Sequence, residues 1–262
     1  MSDAPTRPRV DVLGVLVDVV DLRAATTTIR RWIETGDTQY VCVTGVHGVM
    51  ESQRDASLLA IHNRSGLTVP DGRPLVWAGR WAGADGMDQC RGFDLVDHVC
   101  AAAAAGGWRV FFYGGAEGVP ERLGAVLSAR HGGLTVVGTY SPPFRALTED
   151  EQDDIARLID ERTPDIVFVG LSTPKQERWM AEFRERLRAP VLIGVGAAFD
   201  MHLGAVPQAP RVMQRLGMEW LFRLVLEPRR LWRRYAVSVP GFLGSILRRR
   251  PRVVTDASGS GA

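Results

Sequence analysis

Residues 164–200 read PDIVFVGLSTPKQERWMAEFRERLRAPVLIGVGAAFD. Two nearly all-apolar runs lie within it, 166–171 and 191–195, each of strand length and each opening into glycine or small polar residues. Such runs suit strands buried on both faces, as in a parallel sheet. Between them Trp179, Phe183 and Leu187 recur at helical spacing, while Lys175, Glu177, Arg178, Glu182, Arg184 and Glu185 take the other faces, which predicts an amphipathic crossover helix. The unit is βαβ. Its right-handed crossover puts the turns after both strands at the carboxyl edge of the sheet, where open α/β folds bind ligands. The turns at 170–177 and 194–200 are therefore the first candidates for a site.

Outward from this stretch the alternation continues. A strand RVFFY ends in Gly114-Gly115, a helix spans 119–131, a strand 134–140, and Thr148-Glu-Asp-Glu forms a capping box for a helix over 149–162. Repeated β and α segments over 108–196 predict a Rossmann-like, doubly wound α/β fold with a mainly parallel sheet. Upstream, 10–20 reads as a strand or hairpin, Asp21 as the N-cap of a helix ending at Gly36, and 39–44 as a strand. One helix is expected over 49–63, then a short strand stopping at Pro70-Asp71-Gly72. A helix over 75–81, a glycine-rich loop over 83–91 and a helix capped by Asp94 and running to Gly106 follow. After Asp200 the pattern changes to apolar residues mixed with arginines, fitting two or three short amphipathic helices broken at Pro228 and Pro240. The predicted organisation is an α/β domain at 9–210, a small basic helical appendage at 211–250 and a flexible tail at 251–262.

A net charge of +2 over 262 residues gives no global attraction to nucleic acid, but charge is unevenly placed. Between Leu216 and Arg252 nine arginines face two acids, so this segment is strongly positive and the remainder negative. Arginines interleaved with Trp232, Leu231 and Tyr235 suit a helix lying on an anionic membrane. A solvated face is the plain alternative, and no nucleic-acid fold motif supports a nucleic-acid partner. The N-terminus lacks the apolar core of a signal peptide, and no apolar run approaches the roughly 20 residues that span a bilayer. The expected location is cytoplasmic, peripheral on the inner face of the plasma membrane. Cys42, Cys90 and Cys100 show no metal or redox spacing, which fits a reducing compartment and predicts no bound metal.

Several residues are candidates on chemistry alone. Asp71 on a strand-end turn can serve as a general base, or Asp71-Gly72 can be a simple turn pair. Gly114, Gly115 and Gly196 can bring backbone amides to a diphosphate, or serve ordinary tight turns. Asp200 can bind a ribose or a sugar, or cap a helix. Gln176 follows a first-turn proline and is either a hydrogen-bond donor to ligand or a solvated first-turn residue. His47 near Cys42 forms no readable activated nucleophile.

The motifs Pro70-Asp-Gly, Arg91-Gly-x-Asp94, Phe112-Tyr-Gly-Gly, Pro164-Asp-x-x-x-Val-Gly-Leu and Pro174-Lys-Gln-Glu-x-Trp occur in that order. Gly194-Val-Gly-x-x-Phe-Asp, Ala209-Pro, Leu216-Gly-x-Glu-Trp and Glu227-Pro-Arg-Arg-Leu-Trp-Arg-Arg-Tyr follow. With this set the chain resembles the WecG/TagA/CpsF glycosyltransferases over roughly residues 10 to 245. The resemblance implies inverting transfer of a sugar from a UDP-sugar to a polyprenyl diphosphate-linked glycan, in surface polysaccharide biosynthesis and without a metal or other cofactor. The donor it implies is UDP-N-acetylmannosamine, its uronic acid or a UDP-hexose. Carried over by position, Asp71 matches the proposed base, Thr44 and Gln176 match pocket residues and Arg91 a site arginine. The appendage is implied to dock on the membrane and to turn arginines such as Arg223, Arg230 and Arg233 toward the lipid diphosphate. One position departs: the family commonly has Thr-x-Asn where this chain has Thr44-Gly45-Val46, leaving His47 as the candidate replacement. A homo-oligomer stays open. Two rivals also stay open: a nucleotide-dependent oxidoreductase, which would lack a GxGxxG turn after its first strand, and a non-enzymatic peripheral membrane protein.

Overall fold

The computed structural model describes residues 7–255. The chain begins with a hairpin, β1 (Arg9–Val12) and β2 (Val15–Asp18), followed by α1 (Leu22–Thr35). Asp21 caps α1 by accepting from the Ala24 amide, and Gly36 closes it with φ 74°, in the left-handed region that favours glycine. Next come β3 (Gln39–Thr44), α2 (Val46–Ser52), α3 (Ala56–Arg64), β4 (Leu67–Pro70), α4 (Arg73–Trp81) and α5 (Gly92–Gly106). The regular half holds β5 (Arg109–Gly114), α6 (Val119–Arg130), β6 (Thr135–Tyr140), α7 (Glu149–Glu161), β7 (Ile166–Gly170), α8 (Lys175–Phe183) and β8 (Val191–Gly194). It ends with α9 (Ala198–His202), α10 (Arg211–Arg215), α11 (Glu219–Leu226), α12 (Pro228–Arg248) and β9 (Arg252–Val254).

Six strands form an all-parallel sheet in the order β4-β3-β8-β7-β5-β6. Strand alternation splits the core between its two faces. Val41, Phe112, Phe168 and Ile193 point toward α1, α5, α6 and α9, where Ile29, Val99, Leu123 and Phe199 meet them. Phe111, Tyr113, Val167 and Leu192 point toward α3, α7 and α8, against Ile61, Ile159, Met180 and Phe183. Both faces are thus covered, as the apolar runs demand. The carboxyl ends of β3, β4, β7 and β8 gather on one edge, and β3 sits between β4 and β8 where the sequence order of the sheet reverses. In open α/β sheets that is where a crevice forms.

A second sheet, β2-β1-β9, is antiparallel and builds a separate apolar cluster with α2, α4 and α12. Val10, Val12, Val15 and Val17 pack there with Val49, Leu75, Phe242 and Ile246. Arg252–Val254 pairs with Arg9–Asp11 in place of the free tail expected from residue 251, and Arg249 reaches Asp11 at 2.9 Å. The rest of that expected tail, 256–262, lies outside the described residues.

Three other expectations are corrected. The helix expected over 49–63 is two, because Asp55 accepts from the Ser57 and Leu58 amides and starts a new helix. Arg91, not Asp94, is the N-cap position of α5, and Asp94 lies in its first turn. Pro228 does separate two helices, α11 stopping at Leu226 and Pro228 occupying the first turn of α12, where its missing N–H costs nothing, but Pro240 does not break α12 and is carried inside it. Pro240 and Ala236, whose carbonyl loses its helical partner, are both exposed and so lie on the solvent side of α12. No described helix is long and apolar enough to cross a membrane.

Candidate active site

A cleft of about 770 Å³ opens at the carboxyl edge of the parallel sheet and is roofed by α11 and α12. It brings together Asp71, His47, Arg91, Gln176, Gly196 and Arg223 of the candidates named from sequence. Asp71 follows the last residue of β4, and its amide donates to the Thr44 carbonyl at 2.9 Å, extending the β3–β4 pairing by one bond. Its Oδ1 accepts from the Gly92 amide at 3.0 Å, and its carbonyl accepts from the Gln89 side chain at 2.8 Å. Oδ2 has no hydrogen-bond partner among the described residues and lies on the Gly45 side, where a β-carbon at 45 would stand 3.8 Å away. Burial pushes the Asp71 carboxyl up from its usual range, against the Gly92 amide, Arg223 and Arg91, which pull it down. An acid so placed has one oxygen fixed and one available, which is what abstraction of a proton needs.

The cationic side of the cleft comes from two elements. Arg91 pairs with both oxygens of Asp94, at 2.5 and 3.0 Å, and reaches Glu219 of α11 at 3.4 Å. It therefore joins the start of α5 to the appendage while its charge stays near Asp71. Arg223 of α11 faces Asp71 from the roof, and its Nε is buried without a hydrogen-bond partner among the described residues. Burial raises the Glu219 carboxyl, as does the nearby charge of Asp71, so the acids of this corner resist joint ionisation.

Gln176 is 2 % exposed, and the Gly196 amide donates to its Oε1 at 2.8 Å. Gly196 has φ 55° and leaves the Gln176 amide oxygen 3.6 Å from where a β-carbon would stand. Thr44 is placed one layer below the cleft. Buried His62 donates from Nδ1 to the Leu58 carbonyl at 3.0 Å, so its Nε2 accepts the Thr44 hydroxyl proton at 2.8 Å. Burial lowers the His62 pKa and keeps that ring neutral. His47 lines the cleft beside Val46, at the position of the departure from Thr-x-Asn.

The other candidates lie elsewhere. Gly114 and Gly115 are outside the cleft lining, and packing explains both: a β-carbon at Gly114 would stand 2.7 Å from the Gly170 carbonyl oxygen, and the Gly115 amide donates to that same oxygen at 3.1 Å. Asp200 in α9 does not line the cleft, and its carbonyl accepts from Ala205. Arg233 is exposed, with its guanidinium 5.4 Å from the Trp232 ring centroid. The side chain of Arg230 lies outside the described residues. Among the described residues no group of three or more His, Cys, Asp or Glu could hold a metal ion.

Two buried groups escaped the sequence reading. Glu177, which helical spacing assigns to the faces away from Trp179 and Phe183, is 0 % exposed, and His62 is 1 % exposed. The signal for Glu177 was its place three residues before Met180, on the stripe that faces the sheet.

A family model described as the glycosyl transferase WecG/TagA/CpsF family matches residues 10–254. A protein of Bacillus spizizenii, named N-acetylglucosaminyldiphosphoundecaprenol N-acetyl-beta-D-mannosaminyltransferase, is 30 % identical over 76 % of this chain and 74 % of its own length. A protein of the same name from Staphylococcus aureus is 23 % identical over 94 % of both chains.

Proposed function

The chain belongs to the WecG/TagA/CpsF family of glycosyl transferases, and from that premise we propose that it moves a sugar from a UDP-sugar to a polyprenyl diphosphate-linked acceptor, inverting the anomeric centre. The relatives' names contain that acceptor class and an N-acetylmannosaminyl group. N-acetylmannosamine, its uronic acid and a hexose are the donor sugars to compare. In the reaction the acceptor hydroxyl oxygen attacks the anomeric carbon from the face opposite the leaving group. Its proton passes to Oδ2 of Asp71, and the bond from the anomeric carbon to the diphosphate oxygen breaks, leaving UDP with the electron pair. Arg223, with Arg91 behind it, supplies positive charge as the diphosphate departs, and Gln176 donates a hydrogen bond to the donor. No metal is assigned a step.

The observation that supports this reading most is the state of Asp71: one carboxylate oxygen held by Gly92, the other unbonded, in the cleft that also holds Gln176 and Arg223. Helices α11 and α12 would rest on the anionic inner leaflet, bringing the cleft to the lipid diphosphate. Calorimetric titration with UDP and NAD, followed by a panel of UDP-sugars on a polyprenyl diphosphate-linked N-acetylglucosamine acceptor, tests it. UDP binding with sugar transfer is the expected result. NAD binding in place of UDP, or no transfer from any donor, overturns it.

A further inference from the structure

The carboxamide of Gln176 is held on several sides at once. Its oxygen accepts from Gly196, its Nε2 donates to Oε1 of Glu177 at 3.2 Å, and a β-carbon at Gly194 would lie 3.2 Å from its Cδ. Glu177 is fully enclosed, and its Oε1 also accepts from the Thr173 hydroxyl at 2.8 Å. Its Oε2 is buried with no partner among the described residues. Thr173 and Gln176 line the cleft, while Glu177 lies behind them. A carboxyl group in this setting is an expensive way to fill space, since an apolar side chain would avoid burying an unsatisfied oxygen.

We propose that Glu177 is a positioning residue for the transfer reaction: by accepting from both Thr173 and Gln176, it fixes which face of the Gln176 carboxamide meets the donor substrate. An amide nitrogen carries two hydrogens. With one of them given to Glu177, the second N–H remains to donate to the cleft, while the amide oxygen is turned toward the Gly196 amide, from which it already accepts. The polarity of this contact is then set before the donor arrives, so that it meets an acceptor atom of the sugar or diphosphate. Without Glu177 the carboxamide is held by the Gly196 amide alone, and the restraint on its nitrogen end is lost. The role needs only an acceptor at Oε1, so it does not depend on Glu177 being ionised.

This inference rests on the function proposed above, and full-length enzyme separates the two. Glu177→Met keeps the length and removes the acceptor; Glu177→Gln keeps an acceptor oxygen. With the UDP-sugar varied, Glu177→Met raises the donor KM about tenfold, the loss of ~1.4 kcal/mol of binding, with a smaller fall in kcat. Glu177→Gln stays within about twofold of wild type, well below the cost of one hydrogen bond. Should Glu177→Met fail to fold, Thr173→Val decides, because it removes the second donor that holds Oε1 in place; the donor KM rises. An unchanged donor KM in the folded variants, or a Glu177→Gln that is as impaired as Glu177→Met, overturns the inference while leaving sugar transfer intact. A wild-type chain that transfers no sugar removes the functional reading itself and this inference with it.

Discussion

The backbone amide of Gly92 donates to Oδ1 of Asp71 at 3.0 Å, tying the first residue of α5 to the turn that ends β4. A β-carbon at Gly92 would sit 3.0 Å from the Val195 carbonyl oxygen, so the same glycine presses against the loop after β8. Strand end, helix start and neighbouring loop are therefore fixed together around one carboxyl group. Its orientation comes from backbone, which side-chain motion in the cleft does not disturb.

Asp71→Asn keeps the Gly92 bond, because an amide oxygen also accepts, but it cannot take a proton. Transfer falls at least about a hundredfold, the scale of losing a general base, while UDP affinity measured by calorimetry changes little. Turnover near the wild-type rate would remove Asp71 from the reaction.

The acid limb of the rate profile follows from the same group. Asp71 acts when deprotonated, and its pKa is raised by burial, so kcat/KM is lost as pH falls through a midpoint above the ordinary aspartate range. A profile from initial rates at limiting acceptor reads it. A limb at or below that range would mean that Asp71 is not the titrating base.

Glu177 gives a stability prediction of opposite sense to a paired carboxylate. Burial raises its pKa, so the folded form holds the proton more tightly than the unfolded chain and ionisation opposes folding. The penalty is absent below the unfolded pKa and grows as pH rises above it. Glu177→Gln therefore melts higher than wild type near pH 7, with the gap closing toward about pH 4. Parallel thermal melts across that range check the sign.

Arg91 and Glu219 are joined at 3.4 Å and partly solvated. Glu219→Ala should cost less than about 1 kcal/mol of stability, as such pairs do. Arg91→Ala costs more, since Asp94 and the raised Glu219 lose a shared cation, and it lowers transfer. Denaturant melts of the two variants beside rate measurements distinguish tethering from chemistry.

The membrane reading is tested by charge rather than by deletion. Removing everything from residue 216 would also strip Phe242 and Ile246 from the hairpin cluster and β9 from β1, so lost binding would report lost folding. Arg229 and Arg233 are exposed. Reversing both to glutamate weakens partition onto phosphatidylglycerol vesicles by at least about thirtyfold, taking ~1 kcal/mol per basic residue. Equal sedimentation of variant and parent with vesicles sinks this role.

The βαβ reading of 164–200 was legible because strands covered on both faces must be apolar throughout, and residues 166–170 and 191–194 carry that mark. Strand order was not legible. Nothing local to residues 39–44 says that β8 will insert beside them, since that pairing joins segments about 150 residues apart. The site divides in the same way. Asp71 and Gln176 could be named from motifs, whereas Glu177 was marked only by its spacing to Met180, because a charged residue on a helix otherwise reads as solvated until the packing around it is known. Pro240 differs from expectation for a related reason: Phe242 and Ile246 beyond it pack into the hairpin cluster and hold α12 continuous, and that packing is not written locally.

The pairing of β9 with β1 has a consequence for how this protein comes into being. The first strand keeps one row of backbone groups open until residues 252–254 have emerged from the ribosome, long after residues 9–11. The hairpin is born early but waits for a distant partner, so the apolar cluster shared by Val10, Phe242 and Ile246 closes only after α12 has been made. The parallel sheet does not include β9, whereas α12, which roofs the cleft, packs on the hairpin that β9 completes.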